Sequence, residues 1–152
     1  MRPVHIAPSK PADHEWCARL MASTEPWITL KRDLEGCRAT VNRPETELFL
    51  AQEPEASNPL GFILLAPFGF AGSPYVACIA VAPDAQGQSV GAQLLAFAEQ
   101  LYDDRGHIFL LVSSFNQRAQ QFYRRQAYEF VGELKDYLDS GHSELIFHKR
   151  LS

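Results

Sequence analysis

Two stretches of the chain combine residue types and spacings that could do chemistry. The first is Ala80-Val-Ala-Pro-Asp-Ala-Gln-Gly-Gln-Ser-Val-Gly-Ala-Gln-Leu-Leu95. An apolar, strand-like run ends at Ala82, a helical pattern begins near Ser89, and Gly87 and Gly91 lie in the short connection. Glycines let a ligand approach the backbone closely. The first-turn amides of a helix lack internal acceptors, so that end attracts anions. Strand, glycine-containing loop and helix can therefore cradle a pyrophosphate. They can equally make a tight turn in which the glycines relieve crowding and Ser89 caps the helix. The second stretch is Asn116-x-x-Ala119-x-x-Phe122-Tyr123. Ala119, Phe122 and Tyr123 share one helix face, which alone fits a core aromatic, and Asn116 fits an N-cap. A phenol, with a reference pKa of about 10, can also serve as a proton donor where a reaction develops negative charge.

The first loop is not G-x-x-x-x-G-K-[ST], and it lacks both G-x-G-x-x-G and a ribose-binding acid about 20 residues on. These absences argue against an ATP- or NAD-binding module. Instead Val81-x-Pro83-x-x-Gln86-Gly87-x-x-Val90-Gly91-x-x-Leu94-Leu95 resembles motif A of the GNAT N-acetyltransferase family, [RQ]-x-x-G-x-[GA], with Ser89 in place of the middle glycine. Asn116 to Tyr123 resembles motif B, N-x-x-A-x-x-[FL]-Y, with Ala127 where a glycine commonly follows. The resemblance covers residues 60–151, and segments 25–29, 132–136 and 141–144 are similar to a bacterial branch of that family with no agreed substrate.

The resemblance implies acetyl-CoA as cofactor and transfer of its acetyl group to a primary amine by direct attack in a ternary complex. The backbone of Ile79, Ala80 and Val81 would hold the pantetheine arm like an added strand, with an amide near Ala80 or Val81 polarising the thioester carbonyl. Such oxyanion donors are typically worth about 10²–10³ in rate. Gln86, Gly87, Gln88, Ser89, Val90, Gly91 and Ala92 would hold the pyrophosphate, Asn116 and Phe122 would contact the cofactor, and Tyr123 would protonate the leaving CoA thiolate. The acceptor would be a small-molecule amine or a peptide or protein amine. The alternative is a non-catalytic acyl-CoA-binding or sensor module on the same fold, which gains nothing from a phenol at Tyr123. Glu47, Glu133, Asp136, Asp139, His142 and Glu144 are all candidates for the general base, directly or through water.

The elements that must position these residues follow from apolar spacing. Strands are expected at 4–7, 47–51, 60–66, 75–82, 107–113, 128–134 and 143–151, and 75–82, which lacks polar residues, reads as buried on both faces. Helices are expected at 11–22, 89–102 and 117–126, with a short one over 27–36 stopped by Gly36. Strand–helix–strand with these crossovers implies a right-handed parallel pair in a mixed sheet. With the resemblance, the expectation is an α/β (α+β) fold with about 6–7 strands flanked by about 4 helices, residues 1–152 forming a single domain.

Composition sets the outer limits. The 152 residues are 46% hydrophobic and 21% charged, ordinary for a globular chain. A net charge of −4 shows no basic footprint for nucleic acid. Residues 60–83 carry no charge, but Pro67, Gly69, Gly72 and Pro74 interrupt them, which argues against a membrane span. Five scattered His and three Cys show no metal-ligand spacing, and Cys78 reads as an inert core thiol. Three unpaired-count cysteines and no apolar leader point to a cytoplasmic location. The segment 67–74, with Phe68 and Phe70, reads as an apolar loop and a candidate surface for homodimerisation.

Overall fold

The computed structural model describes residues 1–138 and 141–152. A single sheet has seven strands in the order β1-β2-β3-β4-β5-β7-β6. They are β1 His5–Pro8, β2 Glu47–Gln52, β3 Pro59–Phe70, β4 Ser73–Val81, β5 His107–Ser113, β6 Glu129–Leu134 and β7 Glu144–Arg150. Four helices accompany them: α1 Pro11–Ala22, α2 Leu34–Val41, α3 Val90–Leu101 and α4 Gln117–Arg125. Strand pairing is antiparallel except between β4 and β5, which α3 connects. The mixed α/β sheet anticipated from the sequence is present, with its one parallel pair at the centre.

Alternation along β3 divides the core in two. Phe62 and Leu64 point to the face covered by α1 and α2, where they meet Cys17, Met21, Cys37 and Val41. Ile63 and Leu65 point to the opposite face, where α3 supplies Leu94, Leu95 and Ala98. Both faces of β3 are therefore apolar, as expected of a central strand. Cys17, Cys37 and Cys78 are free thiols, all buried. Among the described residues no helix is long and apolar enough to cross a membrane.

Three local expectations are corrected. The second helix is not at 27–36. Residues 25–31 form successive turns, and α2 starts after Asp33, whose carboxylate accepts from the Gly36 amide at 2.8 Å. Gly36 thus contributes its N–H to the first turn instead of ending a helix, and the Asp cap outweighs the apolar spacing. The segment 67–74 is not a loop but the end of a long hairpin. It turns at Ala71 and Gly72, both at positive φ (51° and 75°), as a two-residue type I′ connection requires. Phe70 consequently stacks on Phe109 at 4.8 Å, while Phe68 stays exposed beneath the Arg105 guanidinium. Finally, β4 is not uniformly buried. Val76, Cys78 and Ala80 are buried, whereas Tyr75, Ala77, Ile79 and Val81 are half-exposed.

That half-exposure has a cause in the sheet. Leu64 and Leu65 of β3 pair with Cys78 and Val76, so Ala77 is an extra residue, a bulge that raises local twist. On its other side β4 pairs with β5 only at Tyr75–Phe109 and Val76–Leu110. Past that point the two strands part, and the β5-facing edge of residues 77–81 has no strand partner among the described residues.

Candidate active site

Two features meet at the parting of β4 and β5. One is the loop that leads from β4 into α3. A 3₁₀ turn, Pro83–Ala85, reverses the chain after β4. The next six amides, those of Gly87, Gln88, Ser89, Val90, Gly91 and Ala92, donate to no acceptor among the described residues. The side chains around them are occupied with bracing. Gln86 Nε2 donates to Val81 O (3.2 Å), Gln88 Nε2 to Asp84 O (3.0 Å), and Gln93 Nε2 to Ser89 O (3.2 Å).

Arg2 completes the brace from the far end of the sequence. Its guanidinium donates to Gln88 Oε1 (2.8 Å) and to Glu53 (2.7 Å), and its amide donates to Gln88 O (3.2 Å). Gln93 Nε2 in turn donates to Arg2 O at 2.6 Å. Sequence reasoning missed Arg2, because nothing local marks a partner 86 residues away.

Ser89 does not cap α3 with its side chain, contrary to one sequence reading. Its backbone is left-handed (φ 67°), a conformation costing a non-glycine residue roughly 1–2 kcal/mol, which is the physical reason for a glycine at this motif position. Gly91 is needed for space. A Cβ there would lie 3.2 Å from Phe122 Cζ and 3.7 Å from Val81 Cγ2, so α3, α4 and β4 converge on it. Unpartnered amides at a helix start are the arrangement that favours an anion, and they fit a pyrophosphate.

The other feature is a cavity of about 360 Å³. Tyr75 and Ile79 line it from β4, Ser113 from β5, Asn116 and Tyr123 from α4, and Glu144 from β7; Trp27, Arg32, Arg43 and Tyr137 also contribute. Ile79 thus faces the cavity, Ala80 packs into the α1/α2 core, and Val81 lies beneath the loop. Asn116 does cap α4, accepting from the Ala119 amide at 3.2 Å, while still lining the cavity.

Electrostatics separates the polar groups. Tyr123 is 8% exposed, and burial, then the neighbouring Cys78 and Tyr75, push its phenol well above the ordinary value. It therefore stays protonated, with a hydrogen to donate. Burial likewise pushes Tyr75 up to about 12, with Glu144 adding to the effect. Complete burial raises the Cys78 thiol well above its ordinary value, then Cys17 and Cys37 raise it further, so this cysteine is a poor nucleophile, as expected.

Of the carboxylate candidates, Glu144 alone among the described ones lines the cavity with its side chain buried at the sheet end. It is 9% exposed and accepts from Ser113 Oγ at 3.2 Å. Burial raises its pKa, against the lowering by Ser113 and the Arg32 charge. The structure does not bring the others there. Glu47 lies in a separate depression beside His14, Glu133 and Asp136 are exposed, and the His142 ring is tilted against Phe115 with centroids 4.7 Å apart. Asp139 lies outside the described residues. The Arg124 guanidinium at the end of α4 sits over the Phe147 ring. Among the described residues no group of three or more His, Cys, Asp or Glu could hold a metal.

A sheet parted at its one parallel pair, next to a βα amide cradle, defines an acyltransferase architecture of the GNAT type. Residues 11–128 match the acetyltransferase (GNAT) family, and the chain belongs to that family. It is an acetyl-CoA-dependent N-acetyltransferase, so the non-catalytic binding module gives way to an enzyme. The fold is shared with a GNAT-family protein from Desulfovibrio desulfuricans (TM-score 0.83, 19% identity, covering 99% of this chain and 100% of that one). Nourseothricin acetyltransferase is similar at 26% identity over 72% of this chain and 67% of that chain, with a TM-score of 0.65. An aminoglycoside 6'-N-acetyltransferase solved with coenzyme A has a TM-score of 0.73 at 17% identity, covering 96% of each chain. A comparison with curated proteins finds no match.

Proposed function

We propose that this enzyme transfers acetyl from acetyl-CoA to a primary amine by direct attack, with Tyr123 as general acid and Glu144 as general base. The observation that carries the reading is continuity. Six free amides, the unpaired edge of β4 and a cavity holding both titratable groups adjoin along one strand. The amides from Gly87 to Ala92 bind the pyrophosphate, and the edge of Ile79, Ala80 and Val81 binds the pantetheine arm and polarises the thioester carbonyl. Asn116 and Phe122 line the path of that arm. Acetyl-CoA supplies an activated acetyl group whose C–S bond breaks as the amine's C–N bond forms. Glu144 takes the proton the amine must lose, directly or through one water. Tyr123 gives its proton to the thiolate, and both side chains reset by exchange with solvent. The coenzyme A complex of the aminoglycoside enzyme, which shares the fold, supports the placement of the donor.

Thermal unfolding tests the donor half. Acetyl-CoA at 100 times its Kd adds about 2.7 kcal/mol of stability, whereas ATP and NAD should leave Tm unchanged. Equal shifts with all three would sink the cradle assignment.

A further inference from the structure

The walls of the cavity carry information about the amine, given the reading above in which Glu144 receives its proton. We propose that the acceptor is a primary amine that also bears a carboxylate, with Arg32 and Arg43 holding the carboxylate and Glu144 facing the amine.

The chain as a whole is acidic, at −4, yet this cavity presents two guanidiniums. Arg32 follows the turns that lead from α1 to α2, and Arg43 follows α2, so separate segments bring them to one opening. Neither forms an ion pair among the described residues, whereas Arg2, Arg19 and Arg38 each hold a glutamate at 2.7–2.8 Å. The described lining contains two carboxylates. Glu25 is tied to its own turn, its two oxygens accepting from the Thr29 amide (2.9 Å) and hydroxyl (2.7 Å). Glu144 is left, and it lies near enough to Arg32 to sense its charge.

The two exposed guanidiniums disfavour a polyamine, whose additional ammoniums would meet like charge at the opening, an effect that salt weakens. They suit a zwitterion. The guanidinium fork matches a carboxylate in two parallel hydrogen bonds, and the remaining carboxylate matches the ammonium. Trp27 and the 65%-exposed Tyr137 add aromatic surface to the same cavity, against which an apolar side chain can pack. A free amino acid has this chemistry, and so does a peptide N-terminus followed by an acidic residue.

The test measures kcat/KM with acetyl-CoA for the twenty common amino acids, their carboxamides, hexapeptides beginning Ser-Asp or Ser-Asn, and spermidine. Loss of a charged hydrogen-bond partner predicts a preference of about tenfold or more for carboxylate over carboxamide. A preference confined to the amino acids identifies a small-molecule acceptor, and one confined to Ser-Asp over Ser-Asn identifies a peptide. In the R32Q/R43Q protein that ratio should fall toward one, and in R32E/R43E spermidine should become the better acceptor; a general loss of fold would move all acceptors together. Preference for spermidine or the carboxamides in the wild type overturns the proposal, as does a ratio that survives R32Q/R43Q. Acetyl-CoA binding is followed by calorimetry in parallel. Binding with no transfer to any of these amines removes the acceptor inference alone, and no binding removes the donor reading with it.

Discussion

From Gly87 to Ala92 the protein offers six backbone amides in a row, braced by the side chains of Gln86, Gln88, Gln93 and Arg2. At the other end of the parted strands, Trp27, Arg32, Arg43, Tyr123 and Glu144 arrive from four separate stretches of chain and present side chains. In the proposed reading the first region would recognise a ligand by the geometry of the main chain, which substitution of most side chains leaves in place. The second would do so by functional groups, each removable by one mutation. A donor common to a family and an acceptor particular to one enzyme would call for this division.

The contrast can be broken most directly at Tyr123. Tyr123→Phe should lower kcat by about 10²–10⁴, the usual worth of a positioned proton donor, while calorimetric CoA affinity stays the same. Equal turnover in both proteins would remove the phenol from the mechanism. Glu144→Gln should cost about 10²-fold and, more tellingly, change the pH profile. Because burial raises the Glu144 pKa, the wild-type rate should climb with pH through a midpoint above the usual carboxylate value of about 4.3, and Glu144→Gln should lack that limb. A limb retained in the variant would assign the base elsewhere. Since Tyr123 is also raised, the wild type should keep its rate past the ordinary phenol pKa of about 10.

At the loop the expected effects are smaller and fall on binding. Arg2→Ala removes the guanidinium that holds Gln88, and it should raise the KM for acetyl-CoA about tenfold with little change in kcat. S-acetylpantetheine, which has no pyrophosphate, should be used equally by both proteins; an equal loss on that donor would mean that Arg2 acts on general stability. Ser89→Gly relieves a left-handed serine, so Tm should rise by about 2–4 °C and CoA should bind slightly more tightly. A fall in Tm would show that the unfolded chain's added freedom outweighs the strain.

How far the sequence disclosed each region follows from the same contrast. The loop was legible because its work is done by consecutive residues, whose glycines and helix start are local facts. Asn116 and Tyr123 were legible for a similar reason, lying on one turn-and-helix. The acceptor cavity was not. Glu144 was one of six base candidates, and only the register of β7 against β5, which sets it opposite Ser113, selects it. Arg32 and Arg43 carry no local pattern, and the misplaced helix at 27–36 would have buried the segment that brings Arg32 to the cavity. The bulge at Ala77 was likewise hidden, since it is defined by what lies across from it on β3.

The gap between β4 and β5 has one more consequence. A bare strand edge usually invites a strand of another molecule, the first step toward aggregation. Here the bare edge of residues 77–81 lies in a recess bordered by α4 and the loop before α3. A strand of another molecule would have to enter that recess to pair with the edge, whereas the pantetheine arm of the proposed donor is a single slender chain. The recess would thus turn a liability for aggregation into a slot for one extended ligand.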